Sequence, residues 1–355
     1  MPKDLLSPLY TKVAKKVLTE TLHVQKGEAL TVEAWDNGLP FARRVLAEAR
    51  AMGCTAAMIY EDEGAYVEGV RRGPADVVGT MGKNEYGMVS GTDAYVFVPG
   101  QVLGAYSRTL KSEERERSVR YNSSWYEAAE KAGLRGARLS FGYVGRDMAA
   151  FLGRKVQDIV RAQLDAALAD YREIACSAAG VSPRLTDGAE AEITSGHMSI
   201  RFATRGGLTV EDGVVDDQDK KAGDNIAYIP PGFVSKDVDP GSANGRVTLT
   251  NSLTRFGVVR RATLEFKDGL LVGWESDDGA TIKKLMDLVA PEKRKLTSLL
   301  VGLNPSLKNG VGADRFVLGN LTLAGFGFAG QVRKGTLKVS GSEAVTEGKL
   351  RPLTG

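Results

Sequence analysis

The sequence predicts a two-domain protein: an N-terminal α/β domain with a parallel sheet and helices on both faces, then a C-terminal α+β domain with a largely antiparallel sheet. Three observations carry this. The first half alternates strand-like and helix-like segments, which is how a chain builds a parallel sheet covered on both faces. Beyond Glu173 short strands follow one another, separated by Gly-Asp, Asp-Gly and Pro-Gly turns. The length of 355 residues suits two domains. A boundary near 172–182 divides the chain into 1–172 and 173–355.

Leu5, Leu9, Val13, Ala14 and Val17 recur at helical spacing and predict an amphipathic opening helix. After the Lys26-Gly27 turn, 29–34 reads as a strand. Residues 40–51 form a helix with an apolar face of Phe41, Val45, Leu46 and Ala49, and Gly53 stops it. Further strands are expected over 55–60, 93–98 and 138–144, with helical patterns over 66–72, 111–132 and 147–172. In the second half, 190–194 and 198–203 read as a hairpin around Ser195-Gly196-His197. A second hairpin joins 262–266 to 270–274 through Lys267-Asp268-Gly269, and one helix interrupts at 280–289. There is no internal repeat and no low-complexity tract.

Composition narrows the function classes. Hydrophobic residues at 43% and charged residues at 26% are an ordinary globular balance. The 42 glycines predict many turns and close backbone contacts. Two His and two Cys argue against a Cys-rich zinc module or a His-rich metal site. A net charge of +3, from 47 basic and 44 acidic residues, leaves no footprint for nucleic acid. No apolar run approaches the ~20 residues that span a bilayer. Residues 1–20 lack the apolar core and cleavage site of a signal peptide, so a cytoplasmic protein is expected.

Single motifs are weak. His23 and His197 read as surface turn residues, and no Gly-x-Ser-x-Gly elbow or Walker loop occurs. Cys54 and Cys176 read as small buried hydrophobes. Gly325-Phe326-Gly327-Phe328-Ala329-Gly330 has dinucleotide-fingerprint spacing, but no helical pattern follows it, so a bend in a sheet is expected. Glu61-Asp62-Glu63, Asp216-Asp217 and Asp277-Asp278 suit turns and helix starts, with Asp277-Asp278 expected to cap the helix that follows. The mixed charges from Glu113 to Arg117 read as a solvated helix face.

Taken in order, several segments carry a resemblance. Asp212-Gly213-Val214-Val215-Asp216 precedes Gly223-Asp224-Asn225-Ile226 and Ile229-Pro230-Pro231-Gly232-Phe233-Val234. Asn244-Gly245-Arg246-Val247, Asp278-Gly279-Ala280, Val301-Gly302-Leu303-Asn304-Pro305 and Leu318-Gly319-Asn320-Leu321-Thr322-Leu323-Ala324-Gly325 follow. This succession resembles the C-terminal domain of the aminopeptidase T family, to which ring-cleaving dihydroxypyridine dioxygenases are related. Val24-Gln25-Lys26-Gly27-Glu28 and the strand–helix–Gly53–strand unit after it extend the resemblance over most of the chain.

The resemblance implies a homodimeric two-metal hydrolase, in which paired divalent ions polarise the scissile carbonyl and activate water. It also implies where ligands would stand. The family's metal-binding Glu after the Pro-x-Gly turn is Phe233 here, and the Glu upstream of Asn304-Pro305 is Ser298. The family's Asp-Glu pair becomes Asp314-Arg315, its His becomes Thr322, and its C-terminal His-x-Asp falls near 336–338. Divalent cations need anionic or imidazole donors, so the expectation is a member without metal or other cofactor. Phe233, Lys236, Ser298, Arg315, Thr322 and Lys338 are the expected lining of a cleft for a small molecule or peptide, anionic if the cations face it. Two alternatives stand beside this: an active metallo-aminopeptidase with a divergent carboxylate set, and a non-catalytic homodimeric scaffold or subunit. The sequence identifies no catalytic residue, and enzyme status is open.

Overall fold

The computed structural model describes residues 6–99, 110–254 and 256–351. The chain divides into two compact units, Met1–Leu168 with Gly213–Pro230, and Ala169–Asp212 with Pro231–Gly355. The single boundary expected near 172–182 is therefore followed by a return of the chain to the first unit.

In the first unit, β1 (Ala29–Trp35), β2 (Thr55–Glu61), β3 (Ala94–Val98), β4 (Arg135–Leu139) and β7 (Ile226–Ile229) form a parallel sheet in the order β2-β1-β3-β4-β7. The return of 213–230 supplies β7, which pairs with β4 from Gly136↔Ile226 to Leu139↔Ile229. One face is apolar and buried throughout: Leu30, Val32, Ala34, Val96, Val98, Ala137, Leu139, Ala227 and Ile229. Helix α1 (Ser7–Lys16) packs on α2 (Leu39–Ala51), which lies against β1, β2 and β3. Between β2 and β3 come α3 (Glu63–Arg72), α4 (Ala75–Val78) and α5 (Lys83–Ser90). Helix α6 (Ser112–Lys131) joins α5 on the other face, where Tyr95, Val89, Ala129 and Leu134 form a buried cluster with Phe97, Trp125 and Ile226 against it.

Differences from expectation are local. Leu5 lies outside the described residues, and the opening helix continues into a π-turn over Val17–Thr21. The fourth strand begins at Arg135 and stops at Leu139, and Ser140–Tyr143 is a 3-10 turn where strand was expected. Gly142 explains the stop, because a Cβ there would meet the Pro99 carbonyl oxygen at 1.6 Å. Only a glycine lets that turn pass so close to the chain leaving β3. The helical stretch expected over 147–172 is broken into α7 (Arg146–Leu152) and α8 (Val156–Ala167), with Gly153 left-handed at φ 61° between them. A further helix, α9 (Tyr171–Val181), begins beyond it.

In the second unit twelve antiparallel strands form one sheet. They are β5 (Glu190–Ser195), β6 (Met198–Glu211), β8 (Phe233–Val238), β9 (Asn244–Thr254), β10 (Gly257–Lys267), β11 (Leu270–Ser276), β12 (Leu296–Gly302), β13 (Leu321–Gly325), β14 (Phe328–Val332), β15 (Thr336–Val339), β16 (Ser342–Thr346) and β17 (Lys349–Leu350). Six of them close on themselves, because the run β9-β14-β13-β12-β8-β6 ends with β6 pairing back onto β9 at Ile200↔Gly245. A closed ring removes exposed edges. Its inward residues are apolar and buried, including Ile200, Phe202, Val234, Leu249, Leu299, Val301, Leu321 and Leu323.

Both expected hairpins are present, β5–β6 and β10–β11. The glycine-rich Gly325–Gly330 stretch is the β13–β14 hairpin, whose turn residues Phe326 and Gly327 have φ of 42° and 78°. Among the described residues no helix follows it, so it is a sheet bend rather than a nucleotide loop. His23 and His197 are exposed. Cys54 is buried, but Cys176 is exposed, contrary to the expectation for it. The buried stripe of α9 is Tyr171, Ile174, Ala178 and Val181, and Cys176 falls outside that helical spacing. Asp62 caps α3 through the Ala65 amide, and Asp216 caps α10 (Asp217–Ala222) through the Gln218 and Asp219 amides. Asp278 stands at the start of α11 (Gly279–Leu288) but does not cap it. Its carboxylate instead accepts from the Arg260 amide at 2.7 Å and pairs with the guanidinium at 3.1 Å.

Candidate functional site

The register of β6, β8, β12, β13, β14 and β9 aligns one residue from each strand: Thr209, Ser235, Leu300, Thr322, Gln331 and Thr250. Residues directly opposite in a sheet share a face, and so do residues two apart along a strand. Phe233 and Ser298 therefore belong to this same face, opposite the apolar interior of the ring. It is a hydroxyl-rich surface that also carries two carboxylates, Glu211 opposite Phe233 and Asp237 opposite Ser298. At its centre Thr322 is 4% exposed, and its hydroxyl has no hydrogen-bond partner among the described residues.

The end of this surface at Phe233 is fixed by a tight approach of two loops. Gly232 adopts φ 118°, and a Cβ on it would meet the Asn304 backbone nitrogen at 2.7 Å. Asn304 is fully buried. It donates from Nδ2 to the Pro231 carbonyl at 2.8 Å, while its Oδ1 accepts from the Ser306 and Leu307 amides. Its own amide donates to the Phe316 carbonyl at 2.8 Å. The buried Asp314 carboxylate accepts from the Gly310 and Val311 amides and shapes the 3-10 turn over Asp314–Phe316. Phe316 is thereby stacked on Phe233, centroids 5.1 Å apart and planes 13° apart. The exposed Arg315 guanidinium lies 4.6 Å from the Phe316 centroid.

The six residues singled out from the sequence thus separate into two groups. Phe233, Ser298 and Thr322 share the hydroxyl-rich face, and Arg315 is joined to Phe233 through Phe316. Lys236 alternates to the other face with Val234 and Val238. Its ammonium is buried there, 2.5 Å from Asp187 and 2.6 Å from the Gly206 carbonyl. That hydrogen bond from Lys236 holds the Asp187 carboxyl below the usual carboxylate range. Lys338 sits on β15, three strands from β8 in the sheet order, 3.7 Å from Glu343. The first group itself, a phenyl ring, two hydroxyls and a guanidinium, supplies no anionic or imidazole donor, and the two carboxylates on its face, Glu211 opposite Phe233 and Asp237 opposite Ser298, stand four residues apart along β8, roughly 13 Å by strand rise. Among the described residues no group of three or more His, Cys, Asp or Glu side chains is placed to hold a metal ion.

A second polar surface lies in the first unit, and the sequence did not reveal it. Ile59, Glu33, Phe97, Arg138 and Tyr228 form one row across β2, β1, β3, β4 and β7. Glu33 accepts from Trp35 Nε1 at 2.8 Å and from the Tyr95 hydroxyl. Burial raises its pKa, the two hydrogen bonds oppose that, and Glu85 adds to it. Glu61 is raised as well, by burial and then by Glu33. Around them Tyr121 donates to Glu85 at 2.6 Å and Tyr66 donates to Ser118 at 3.0 Å. Arg138 donates to the Tyr143 hydroxyl and lies 5.3, 5.5 and 6.0 Å from the ring centroids of Phe97, Tyr143 and Tyr228. A lone charge in an apolar strand, as in Val32-Glu33-Ala34 and Ala137-Arg138-Leu139, was the available signal. Parallel strands covered on both faces seldom carry one.

A five-stranded parallel unit followed by a closed antiparallel unit defines a fold of the aminopeptidase T type. The solved structure of wild-type AmpT from Thermus thermophilus matches with a TM-score of 0.64 and 12% identity, over 97% of this chain and 99% of that one. A 2,5-dihydroxypyridine dioxygenase from Pseudomonas putida KT2440 matches with a TM-score of 0.64 and 13% identity, over 99% and 98%. Identities this low establish a shared fold, and function has to be argued from the site. No family model and no curated protein matches the sequence. Among the described residues no helix is long and apolar enough to cross a membrane.

Proposed function

We propose that this chain is a metal-independent member of the fold that binds, and in one version transforms, a small polar molecule on the hydroxyl-rich face carrying Phe233, Ser298 and Thr322. The Thr322 hydroxyl carries the proposal. A buried hydroxyl without a partner costs about 1–3 kcal/mol, a cost that a ligand hydrogen bond removes. Ser235, Ser298 and Gln331 offer further donors and acceptors on the same face, Phe233 offers a flat apolar wall, and Arg315 supplies a fixed positive charge beside it. That charge favours a ligand with a carboxylate end, free peptides included.

Two measurements test this. Metal analysis of the purified protein after incubation with zinc, manganese, cobalt and iron, run with an aminopeptidase assay, should give no stoichiometric metal and no chelator-sensitive turnover. Stoichiometric metal with chelator-sensitive release of an N-terminal residue would return the chain to the two-metal hydrolases. A screen of small carboxylates and short peptides should then yield a ligand whose binding weakens in both Thr322→Val and Arg315→Ala. A ligand indifferent to both substitutions would remove this face as the site.

A further inference from the structure

We infer that the first unit holds a separate binding site for a monocarboxylate bearing a planar ring, with Arg138 as its anion receptor and Phe97, Tyr143 and Tyr228 as its walls. A guanidinium has five N–H donors. Among the described residues Arg138 has one hydrogen-bond acceptor, the Tyr143 hydroxyl, and no carboxylate within ion-pair distance. It is half-buried nonetheless. Its neighbours are ring faces, which hold a guanidinium in place without using its N–H edge.

Position in the fold agrees. The strand order β2-β1-β3-β4-β7 reverses direction between β1 and β3, and ligands of open α/β sheets gather at such a point, at the carboxyl ends of the strands. Arg138 is the next-to-last residue of β4, one strand beyond that point, and Phe97 beside it is the next-to-last residue of β3. Glu33, Phe97, Arg138, Tyr143 and Tyr228 all keep part of their surface open, whereas Thr31 and Tyr95, one step deeper on the same face, are buried. The ligand's charge follows from the surroundings. Glu33 stands in the same row, roughly 10 Å away by strand spacing. A single negative charge matches the single arginine, and a dianion would meet the Glu33 and Glu61 carboxylates as well.

The test is calorimetric titration of the full chain with benzoate, benzamide and phenyl phosphate. Benzoate should bind saturably, and Arg138→Gln should weaken it about tenfold or more, the loss of one charge-assisted contact. Benzamide, the neutral isostere, should bind at least about tenfold more weakly than benzoate. If Arg138→Gln fails to fold, Arg138→Lys keeps the charge but loses the planar fork that meets the carboxylate and the ring faces, and should weaken benzoate several-fold. No saturable benzoate binding, or binding unchanged by these substitutions, overturns the site. So does benzamide binding as tightly as benzoate. Phenyl phosphate binding more tightly than benzoate overturns the single-charge assignment. Loss of benzoate binding in Arg315→Ala alone would assign it to the hydroxyl-rich face of the other unit, which separates failure of this inference from failure of the proposed function.

Discussion

The two polar surfaces are made by opposite means. On the closed ring, hydroxyls and an amide from Thr209, Ser235, Ser298, Thr322 and Gln331 predominate, with Glu211 and Asp237 as the carboxylates of the face, and the order comes from loops locked behind Phe233. On the parallel sheet, Glu33 and Arg138 are charged, and the order comes from aromatic rings and phenol hydroxyls that surround them. Hydroxyls and amides do not titrate, and their arrangement depends on backbone geometry. A charged, partly buried surface costs stability through desolvation and responds to pH. Substitutions in the two units should therefore fail in different ways.

The largest effect is expected at Asn304, which serves the ring surface. Asn304→Ala leaves the Pro231 carbonyl and the Leu307 amide without their partner in a buried place, and the Ser306 amide without its partner in a part-buried one. A loss of about 3–5 kcal/mol in chemical denaturation is expected, each orphaned group contributing about 1–3 kcal/mol before relaxation. A loss below about 1 kcal/mol would show that the loops behind Phe233 are not held as described.

How far each surface could be read from the sequence follows from the same contrast. The succession of segments from Asp212 to Gly325 singled out Phe233, Ser298, Arg315 and Thr322 because turn glycines and the Asn304-Pro305 pair mark fixed points between strands. Strand pairing and alternation were not marked. Lys236 is one residue out of phase with Phe233 and Ser235, and a single step of phase moves a side chain to the opposite face. The closure of β6 onto β9 rests on one short pairing far apart in sequence, which no local pattern records. The row Glu33–Phe97–Arg138–Tyr228 draws one residue from each of four strands spread between Ala29 and Ile229, so its members meet only once the sheet order is known. β7 in particular comes after two strands of the other unit.

The charged surface should show its cost in Glu33→Gln. The folded carboxyl has a raised pKa, so the folded state holds its proton more tightly than the unfolded chain. Wild-type stability from this group is fully present below the unfolded pKa near ~4.3, and is lost as pH rises through the folded value. The amide has no such loss. Glu33→Gln should match the wild type near pH 4 and melt higher at pH 7–8. Thermal melts across that range check it, and a wild type that gains on the variant as pH rises would reverse the assigned direction.

On the hydroxyl-rich surface the corresponding change removes no titrating group, so it is smaller and insensitive to pH. Thr322→Val keeps the shape and removes a hydroxyl with no partner, so it should stabilise the protein by about 0.5–1 kcal/mol in the absence of ligand. Equal gains at pH 5 and pH 8 are expected, unlike Glu33→Gln. A loss of stability would mean that the hydroxyl has a partner and would remove the observation on which the proposed function rests.

The smallest effect is expected at Arg315, and its sign separates a functional cation from a structural one. The guanidinium is exposed and lies over the Phe316 ring, a contact worth about 0.5–1 kcal/mol at such a site. Arg315→Ala should cost at least that contact in denaturation. Arg315→Lys keeps the charge but loses the planar stack, so it should cost nearly as much in stability. Binding should order the three proteins differently. If the charge attracts a carboxylate ligand, lysine should retain most of the affinity that alanine loses, and added salt should erode the difference. Should lysine and alanine bind alike, Arg315 is a cover for Phe316 and nothing more, and the hydroxyl-rich face would then select its ligand by hydrogen bonds alone.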